Sequence, residues 1–515
     1  MASALTSTAG HPDRTTAPSA TASRRLPFVV PSVVVVLGLG ALYAATVMRG
    51  VGGPTDTAKF QYLGSVLGTA HEPGYPLYTM LLALAVRLLP GVEDALVANA
   101  LSAVCTIAAA LLFLRVLQRL GVRSVVAVTM ALALGTGREV WSQALIAEVY
   151  GLNLALVMAV LLFLVRWRQT HADRDLFLGL CIWALSFAHA TSSVLLAPGI
   201  LAFLAFSGVR AFLRPRLLLW LPALAAVALL PYGYILWRTL DPSTPYLEAS
   251  FRNVPGLLGM VRGETFAGQM FAFSPYELLT TRLHLVWGLL RAQPLLWALI
   301  PAVIAVATRL REPVIWLLVI WGGATAAWGM NYDIADVEVV FIPAWACLLA
   351  LAALGLESLL CRIRPAAGRG ALLVGTAVVP VVTAIMTLPD VDASDDPTQD
   401  IVTAALAEVG PGGGVVTGYL YHHLNYYLIG PGEPKRPGVY SALPLPPSQL
   451  AEYCAGSSLG LGWNRVVPTA PPGLPLYVLE APYIATLARQ GVPLVHLSPE
   501  LARVDCQALL GAPPG

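Results

Sequence analysis

The sequence predicts an all-α polytopic membrane protein with a small C-terminal α/β domain outside the membrane. Of its 515 residues, 57% are hydrophobic and only 12% are charged, whereas soluble proteins carry roughly 25% charged residues. Apolar segments of spanning length recur along most of the chain, separated by short charged loops. The net charge is only +2 and is scattered over these loops. The composition therefore indicates the lipid bilayer as a partner and gives no sign of a nucleic-acid partner.

The segment 1–25 is predicted to be a disordered cytoplasmic tail, because it is rich in Ser, Thr, Ala and Pro. It ends in Arg24 and Arg25, and an arginine pair before an apolar run also resembles a twin-arginine export signal. The run from Leu26 to Met48 is long enough to span, since a span needs roughly 20 residues. Because more spans follow, we interpret it as an anchor.

Eleven spans are predicted in a membrane domain of residues 26–389, although twelve or thirteen would also fit the short candidates. They lie near 27–48, 95–117, 124–138, 147–165, 175–190, 192–208, 217–237, 283–307, 313–330, 338–360 and 371–388. Arginines cluster in alternate loops, and most loop carboxylates lie in the others. By the positive-inside rule, this separation requires a cytoplasmic N terminus and an outer loop 49–94 whose segment 76–90 does not cross.

Residues 390–515 have a different pattern. "TQDIVTAALAEVG" and "APYIATLARQG" predict helices, while "VVTG", "PLYVLE" and "VPLVHL" predict strands. Alternating strands and helices favour an α/β domain, which eleven spans place outside the membrane. Cys454 and Cys506 are its only cysteines, so we expect a disulfide between them in an oxidising compartment.

Five polar clusters fall on the predicted outer side, and the second of them, "HEPGYP" at 71–76, combines charge with helix-breaking residues. Each cluster alone is typical of a solvated loop, and His189 alone is typical of a hydrogen-bonded interfacial histidine. The pair His422-His423 suggests a metal only weakly, since a helix face explains it better. Their shared location nevertheless predicts a functional site. The candidate residues are Asp56, Lys59, His71, Glu72, Tyr75, Arg138, Glu148, His189, Asp333 and Asp336.

Four motifs in order resemble those of protein O-mannosyltransferase-like membrane proteins of the GT-C glycosyltransferase superfamily. The resemblance covers roughly residues 27–360. Two departures are Glu72, where relatives often have proline, and Ala190, where they often have a second histidine. The motifs are "DTAKFQYLGSVLGTAHEPGYPLY", "VWSQALIAEVYGLNLAL", "LSFAHATSSVLLAPG" and "NYDIADVEVVFIPAWACLLALAALGLESL".

The resemblance implies transfer of a sugar, such as mannose or arabinose, from a polyprenyl-phosphate donor to an acceptor hydroxyl at the outer face of the plasma membrane. The acceptor could be a protein, a lipid or a glycan. Asp56 would be the general base of an inverting displacement. Partial desolvation is expected to raise its pKa, whereas a bound cation or an arginine would act in the opposite direction. Glu148 would orient the acceptor or coordinate a divalent ion, and the need for a metal stays open.

The same resemblance assigns the donor phosphate to Arg138, His71, His189 or Lys59, and "HEPGYP", with Glu72 and Tyr75, to the rim of the sugar cleft. Asp333 and Asp336 are expected to bind the donor as well. Two alternatives remain at this point. One is a transporter or flippase of a lipid-linked precursor, and the other is a non-catalytic scaffold of envelope assembly.

Overall fold

The computed structural model describes residues 29–511, apart from 213–215, 294, 410–411, 434, 436–437, 464 and 466–468. The predicted tail 1–25 lies outside the described residues. The first half of the described chain is helical. Its α-helices are α1 (Val29–Thr46), α2 (Thr55–Val66), α3 (Pro76–Leu88), α4 (Asp94–Arg119), α5 (Ser124–Gly135), α6 (Arg138–Ala144), α7 (Tyr150–Thr170), α8 (Asp173–Phe187), α9 (Ala197–Phe212), α10 (Arg216–Leu229) and α11 (Tyr232–Leu240).

Helices continue up to the C-terminal region. They are α12 (Val254–Arg262), α13 (Pro275–Glu277), α14 (Leu283–Ala292), α15 (Leu296–Arg309), α16 (Pro313–Met330), α17 (Ile342–Arg362) and α18 (Ala366–Val391). Shorter 3₁₀ turns precede or follow some of them, at Thr191–Leu196, Glu264–Gln269 and Val337–Phe341.

Within the described residues, seven helical segments are long and apolar enough to cross a membrane, or nine if each of two bent helix pairs is one span. This confirms the multi-pass, mostly helical fold class. Two of the eleven predicted spans, 124–138 and 175–190, coincide with α5 and α8, which have 12 and 15 residues. At 1.5 Å per residue, neither helix alone reaches the roughly 30 Å of a bilayer core. The count of eleven stays a prediction.

Two of the predicted spans are broken helices. The span 217–237 falls on α10 and α11, which meet at 44°, and 283–307 falls on α14 and α15, which meet at 104°. Pro231 lies at the first break, where its missing N–H interrupts helical hydrogen bonding. The apolar segment 76–90 forms the 13-residue α3, and we expect it not to span because it is only about 20 Å long.

The central helices pack closely through small residues. In α17, 15 of 21 residues are buried, and α17 lies directly against α15. A β-carbon at Gly355 would collide with the carbonyl oxygen of Pro301 in α15. Glycine therefore permits the close approach of these two helices, as is usual inside membranes.

The C-terminal region contains the two β-sheets of the described chain. A five-stranded sheet has the order β2-β1-β5-β7-β6, in which β1 is parallel to β2 and β5 and β7 is antiparallel to β5 and β6. Strands β3 and β4 form an antiparallel pair. The elements are α19 (Thr398–Glu408), β1 (Gly414–Thr417), α20 (Tyr421–Leu428), β2 (Tyr440–Ala442), α21 (Pro447–Cys454), β3 (Leu459–Gly460), β4 (Thr469–Ala470), β5 (Leu476–Leu479), α22 (Ala481–Arg489), β6 (Leu494–His496), β7 (Leu501–Val504) and α23 (Cys506–Gly511).

The sequence pattern of this region is confirmed in detail. The two predicted helices are α19 and α22, and the three predicted strands are β1, β5 and β6. A disulfide joins Cys454 at the end of α21 to Cys506 at the start of α23, as expected. His422 and His423 lie on the buried helix α20, which packs against α2 of the helical part. The C-terminal region is thereby joined to the helix that carries Asp56 and Lys59.

Candidate active site

A cavity of about 680 Å³ opens beside the N-terminal half of α2. Its wall is built from α2, the loop before α3, the starts of α7 and α9, the segment 261–270, and the residues around the end of α16. The charged or ionisable residues that line it are Asp56, Lys59, His71, Glu72, Tyr75, Tyr150, Glu248, Arg262, Tyr332 and Asp336. Six of the ten predicted site residues thus share one cavity: Asp56, Lys59, His71, Glu72, Tyr75 and Asp336.

Lys59 is the centre of this site. It lies one helical turn after Asp56, so both side chains project from the same face of α2. Its Nζ lies 2.8 Å from Asp56 Oδ1, 2.9 Å from Glu248 Oε2 and 2.9 Å from His71 Nδ1. An ammonium group has three N–H donors, and these three partners use all of them. The Lys59 side chain, only 2% exposed, is therefore a fully paired buried cation.

Asp56 faces the cavity, with 46% of its side chain exposed. Burial raises its pKa, but the ammonium group of Lys59, through its charge and its hydrogen bond, holds the pKa of Asp56 well below its usual range. Desolvation thus acts as the sequence predicts, and Lys59 is the cation that opposes it. Asp56 is ionised at neutral pH.

His71 is neutral in this arrangement. Burial and the neighbouring Lys59 lower the pKa of His71, although Asp56 acts in the opposite direction. Because the ammonium of Lys59 can only donate, Nδ1 of His71 accepts and the ring proton resides on Nε2. The ring lies edge-on to those of Tyr75 and Phe266, at centroid distances of 5.3 and 5.9 Å.

The "HEPGYP" loop turns sharply at the cavity rim. Gly74 and Tyr75 have positive φ angles of 92° and 42°, and Pro76 occupies the first turn of α3, where its missing N–H costs nothing. A β-carbon at Gly74 would collide with Ile235 of α11. Glu72 Oε2 accepts a hydrogen bond of 3.0 Å from the backbone N–H of Thr265. The loop is thereby tied to the segment that forms the opposite rim.

Glu148 lies behind Asp56 and does not line the cavity. Its side chain is buried, and Oε1 accepts a hydrogen bond of 2.9 Å from Thr57 Oγ1. Burial, followed by the charge of Asp56, raises the pKa of Glu148 to about 8. The carboxyl group is therefore mostly protonated at pH 7, which makes it a neutral neighbour of Asp56.

The remaining predicted residues differ in their distance from the cavity. Asp336 lines it, and its Oδ2 accepts from the Tyr150 hydroxyl at 3.4 Å. Asp333 is exposed and lies outside the lining. His189 is fully buried beside the rings of Tyr75 and Tyr78, and its Nε2 donates to the Val149 carbonyl at 2.8 Å. Burial lowers the pKa of His189 to about 4, so it is a neutral support of the wall.

Arg138 is not brought to this cavity. It begins α6, and its Nε lies 3.6 Å from Asp390 Oδ2 at the end of α18. The cavity is also lined by two charged residues that no sequence motif singled out, Glu248 and Arg262. Both lie between α11 and the 3₁₀ turn after α12, where no motif marked them. Arg262 is exposed and makes no ion pair or hydrogen bond within the described part of the chain.

Among the described residues, no group of three or more His, Cys, Asp or Glu side chains is arranged to hold a metal ion. Around the cavity, the carboxylate of Asp56 is already paired with Lys59, and that of Glu72 with a backbone N–H. Both carboxylates therefore already have partners, and the mechanism proposed below uses no metal ion.

Comparison with known proteins finds a related sequence family over the part of the chain that contains the candidate site. The family model described as the N-terminal domain of protein O-mannosyl-transferase TMEM260 matches residues 56–211. Protein O-mannosyl-transferase TMEM260 of Mus musculus is 26% identical over 354 residues, which are 64% of this chain and 49% of that protein. The chain thus spans about half the length of this relative. The matched range contains Asp56, Lys59, the "HEPGYP" loop and Glu148.

Solved structures show a similar fold. ArnT from Cupriavidus metallidurans matches in its apo state with a TM-score of 0.58 and 12% identity. Its complex with undecaprenyl phosphate matches with a TM-score of 0.56 and 13% identity. Each match covers 95% of this chain and 99% of ArnT. These findings confirm the resemblance to protein O-mannosyltransferase-like membrane proteins by sequence, with the family model matching residues 56–211. ArnT shares the fold over nearly the whole chain.

Proposed function

We propose that this protein is a membrane glycosyltransferase that moves a sugar from a polyprenyl-phosphate donor to an acceptor hydroxyl. The observation that carries the proposal is the Asp56–Lys59–His71 cluster in the wall of a cavity. The same cavity is lined by Arg262, which has no ion pair or hydrogen bond within the described residues. Such a transfer needs a base near the acceptor and a cationic group near the leaving phosphate. The relationship to an O-mannosyltransferase and the fold of ArnT, which binds undecaprenyl phosphate, support this assignment.

Asp56 is proposed as the base. It is ionised, faces the cavity and lies in the first turn of α2, where the helix dipole favours a negative charge. Glu72 is the rival carboxylate, but it is engaged by the backbone N–H of Thr265. Glu148 is buried behind the wall and mostly protonated at pH 7, so we propose that it supports Asp56 through Thr57 and does not accept a proton itself.

The donor phosphate is assigned to Arg262 and Lys59. Arg262 lines the cavity, its guanidinium has no partner in the part of the chain that the structure describes, and an arginine can bind two phosphate oxygens at once. Lys59 also lines the cavity, although Asp56, Glu248 and His71 use its three N–H groups. A phosphate at Arg262 would compete with Asp56 for Lys59. Donor binding would then weaken the Lys59–Asp56 pair, raise the pKa of Asp56 and make it a stronger base.

The reaction follows from these roles. The acceptor oxygen forms a bond to the anomeric carbon while the bond between that carbon and the phosphate oxygen breaks, so the configuration inverts. The acceptor proton passes to Asp56, and the polyprenyl phosphate leaves with its charge balanced by Arg262 and Lys59. His71 presents its Nε2–H toward the same region and is available to donate to a sugar or phosphate oxygen.

The rest of the cavity suits a donor with a sugar and an isoprenoid chain. Aromatic residues such as Tyr75, Trp328 and Tyr332 line one part and can pack on sugar C–H faces, while Asp336 can accept from sugar hydroxyls. Apolar residues of α7, α16 and the start of α17 line another part. We propose that the cavity lies at the outer face of the cell membrane, with the N terminus in the cytoplasm, as the arginine distribution predicts.

The test is a comparison of Asp56→Asn with wild-type protein in lipid nanodiscs. Radiolabelled polyprenyl-phosphomannose and, separately, polyprenyl-phosphoarabinose serve as donors, with extracts of the cell envelope as acceptors. Asp56→Asn keeps the size of the side chain but cannot accept the proton, so transfer should fall by about 10²–10⁴-fold. Binding of the donor should be retained, because its phosphate contacts lie elsewhere.

Two further variants make the comparison specific. Asp333→Asn removes an exposed carboxylate that does not line the cavity and should keep wild-type transfer. Glu72→Gln should keep most of it. Wild-type rates in Asp56→Asn, together with loss in Glu72→Gln, would refute the assignment of the base. No transfer by wild-type protein from either donor, with donor binding intact, would favour a transporter or scaffold.

A further inference from the structure

We propose that the C-terminal region takes part in catalysis indirectly, because its helix α20 fixes the backbone from which Asp56 projects. His423 is the positioning residue in this inference, which rests on the proposed role of Asp56 as the base. No sequence pattern connects the C-terminal region with the site, since His423 lies 367 positions after Asp56.

Two side chains of the C-terminal region bind one carbonyl group just before α2. His423 Nε2 donates to the Gly53 carbonyl oxygen at 3.0 Å, and the Tyr419 hydroxyl donates to the same oxygen at 3.2 Å. Gly53 has a φ of 77° and precedes Pro54, after which α2 begins. Asp56 follows within the first turn. The carbonyl that His423 binds therefore lies three residues before the proposed base.

His423 is suited to this contact and to little else. Its side chain is fully buried, and burial lowers its pKa to about 4 although the Gly53 carbonyl opposes the change. The ring is neutral at pH 7, with its proton on Nε2 because a carbonyl can only accept. Nδ1 has no hydrogen-bond partner in the part of the chain that the structure describes. A buried unpaired nitrogen is costly, so an apolar residue would fill this place better if packing were its role.

A second contact fixes the same helix farther along. His422, the neighbour of His423, shares a hydrogen bond of 3.0 Å with the hydroxyl of Tyr62 in the middle of α2. Its ring is stacked parallel to that of Trp463 at 6.3 Å. Helix α20 thus holds α2 both at its beginning and at Tyr62, which constrains the shift and the rotation of the helix. The direction of the Asp56 side chain depends on both.

The first turn of helix α2 is otherwise held from its side, where Thr57 donates to Glu148, and its N-terminal N–H groups have no side-chain cap among the described residues. Pro54 occupies the N-cap position, and no side chain within α2 caps the first turn, whose free N–H groups otherwise need partners. If the Gly53 carbonyl is released, the first turn can shift and carry Asp56 with it. A displacement of about 1 Å in a reacting group can cost on the order of 10²-fold in rate.

The experiment compares three variants in nanodiscs, with polyprenyl-phosphomannose as the donor, or the arabinose donor if that is the one used. His423→Leu removes the donor to Gly53, whereas His423→Gln retains an N–H at a similar reach. Ser441→Ala is the matched control, because it removes a buried hydrogen bond of 2.6 Å to Asn425 of the same helix α20 and leaves both hydrogen bonds to the Gly53 carbonyl in place. Hydrogen exchange of the amides of residues 54–62 is measured beside kcat and donor KM.

In His423→Leu, exchange in 54–62 should be about tenfold faster, and kcat should fall about 10–100-fold with donor KM nearly unchanged. His423→Gln should restore most of both, and Ser441→Ala should match wild type in both. Unchanged exchange in His423→Leu, faster exchange with an unchanged kcat, or an equal loss in Ser441→Ala would each overturn the inference. A wild-type protein that transfers no sugar would instead refute the proposed function, whatever the exchange shows.

Discussion

Replacing Glu148 with glutamine tests whether this buried acid is neutral in the folded protein. The carboxyl group is buried, accepts from Thr57 and has its pKa raised from the ordinary 4.5 to about 8. Glutamine has nearly the same shape, and its Oε1 can accept the same hydrogen bond. The substitution therefore removes the ability to ionise while it leaves the packing in place.

The expected magnitude follows from the pKa. In the unfolded chain the carboxyl ionises above about pH 4.5, whereas in the folded protein it stays protonated up to about pH 8. Glu148 therefore favours the folded state fully only below pH 4.5, and this contribution is lost as pH rises toward 8. The loss is about 1.4 kcal/mol per pH unit. Glu148→Gln should thus become more stable relative to wild type by roughly 3 kcal/mol between pH 6 and pH 8.

The assay is unfolding of both proteins in the same detergent at pH 6, 7, 8 and 9. The stability difference should widen up to about pH 8 and then stay constant. Glu312→Gln is the control, because Glu312 is 46% exposed in a surface pair with Arg309 and should show no such widening. Parallel curves for Glu148→Gln and wild type would refute the reasoning, since they would mean that Glu148 ionises normally. Transfer by Glu148→Gln at pH 7 should remain within a few-fold of wild type.

Three further predictions concern the cations and the disulfide. Lys59→Gln removes the charge that lowers the pKa of Asp56 while burial remains, so the acidic limb of the kcat/KM profile should move to higher pH by at least about one unit; an unmoved limb would contradict this. Arg262→Gln should weaken binding of polyprenyl phosphate by about 10–100-fold, as expected for loss of a charge-assisted hydrogen bond, and unchanged titration of the lipid would exclude the assignment. Cys454→Ser opens a disulfide across a sequence separation of 52 and should destabilise the C-terminal region by about 4 kcal/mol, seen as a lower melting temperature that reductant no longer changes.

Much of the fold could be predicted because it depends on local pattern. Spans follow from runs of apolar residues, and the strands of the C-terminal region follow from short β-branched segments between turns. The exceptions are places where distant contacts decide. Helix α5 is too short to span alone, and α14 and α15 meet at 104°, although the sequence 283–307 is mostly apolar. Apolar composition indicates that a segment is buried or in lipid, and it does not indicate where the segment bends.

The candidate site could be predicted only in the parts that lie close together in sequence. Asp56 and Lys59 are one helical turn apart, so their pairing follows from spacing, and His71 belongs to the same outer loop. Glu248 lies in the loop after α11 and Arg262 is the last residue of α12, both about 200 positions later, and neither belongs to a motif. Arg138 illustrates the opposite case, since it stands in a clear motif but pairs with Asp390 on α18.

The charge balance of Lys59 explains why the pKa of Asp56 is lowered although the side chain is partly desolvated. With Asp56 alone, burial would raise the pKa of the carboxyl, as the sequence suggests. The buried Lys59 reverses this, and Lys59 is itself kept charged because Glu248 and Asp56 together offset the effect of its burial. Glu248 therefore acts on Asp56 through Lys59, although the carboxylates have like charge. A base held ionised but weakened by a cation can gain strength when an anionic donor draws that cation away. The three-way pairing of Lys59 thus couples the proposed donor binding to the basicity of Asp56, and it arises only when α2, the "HEPGYP" loop and the loop after α11 come together.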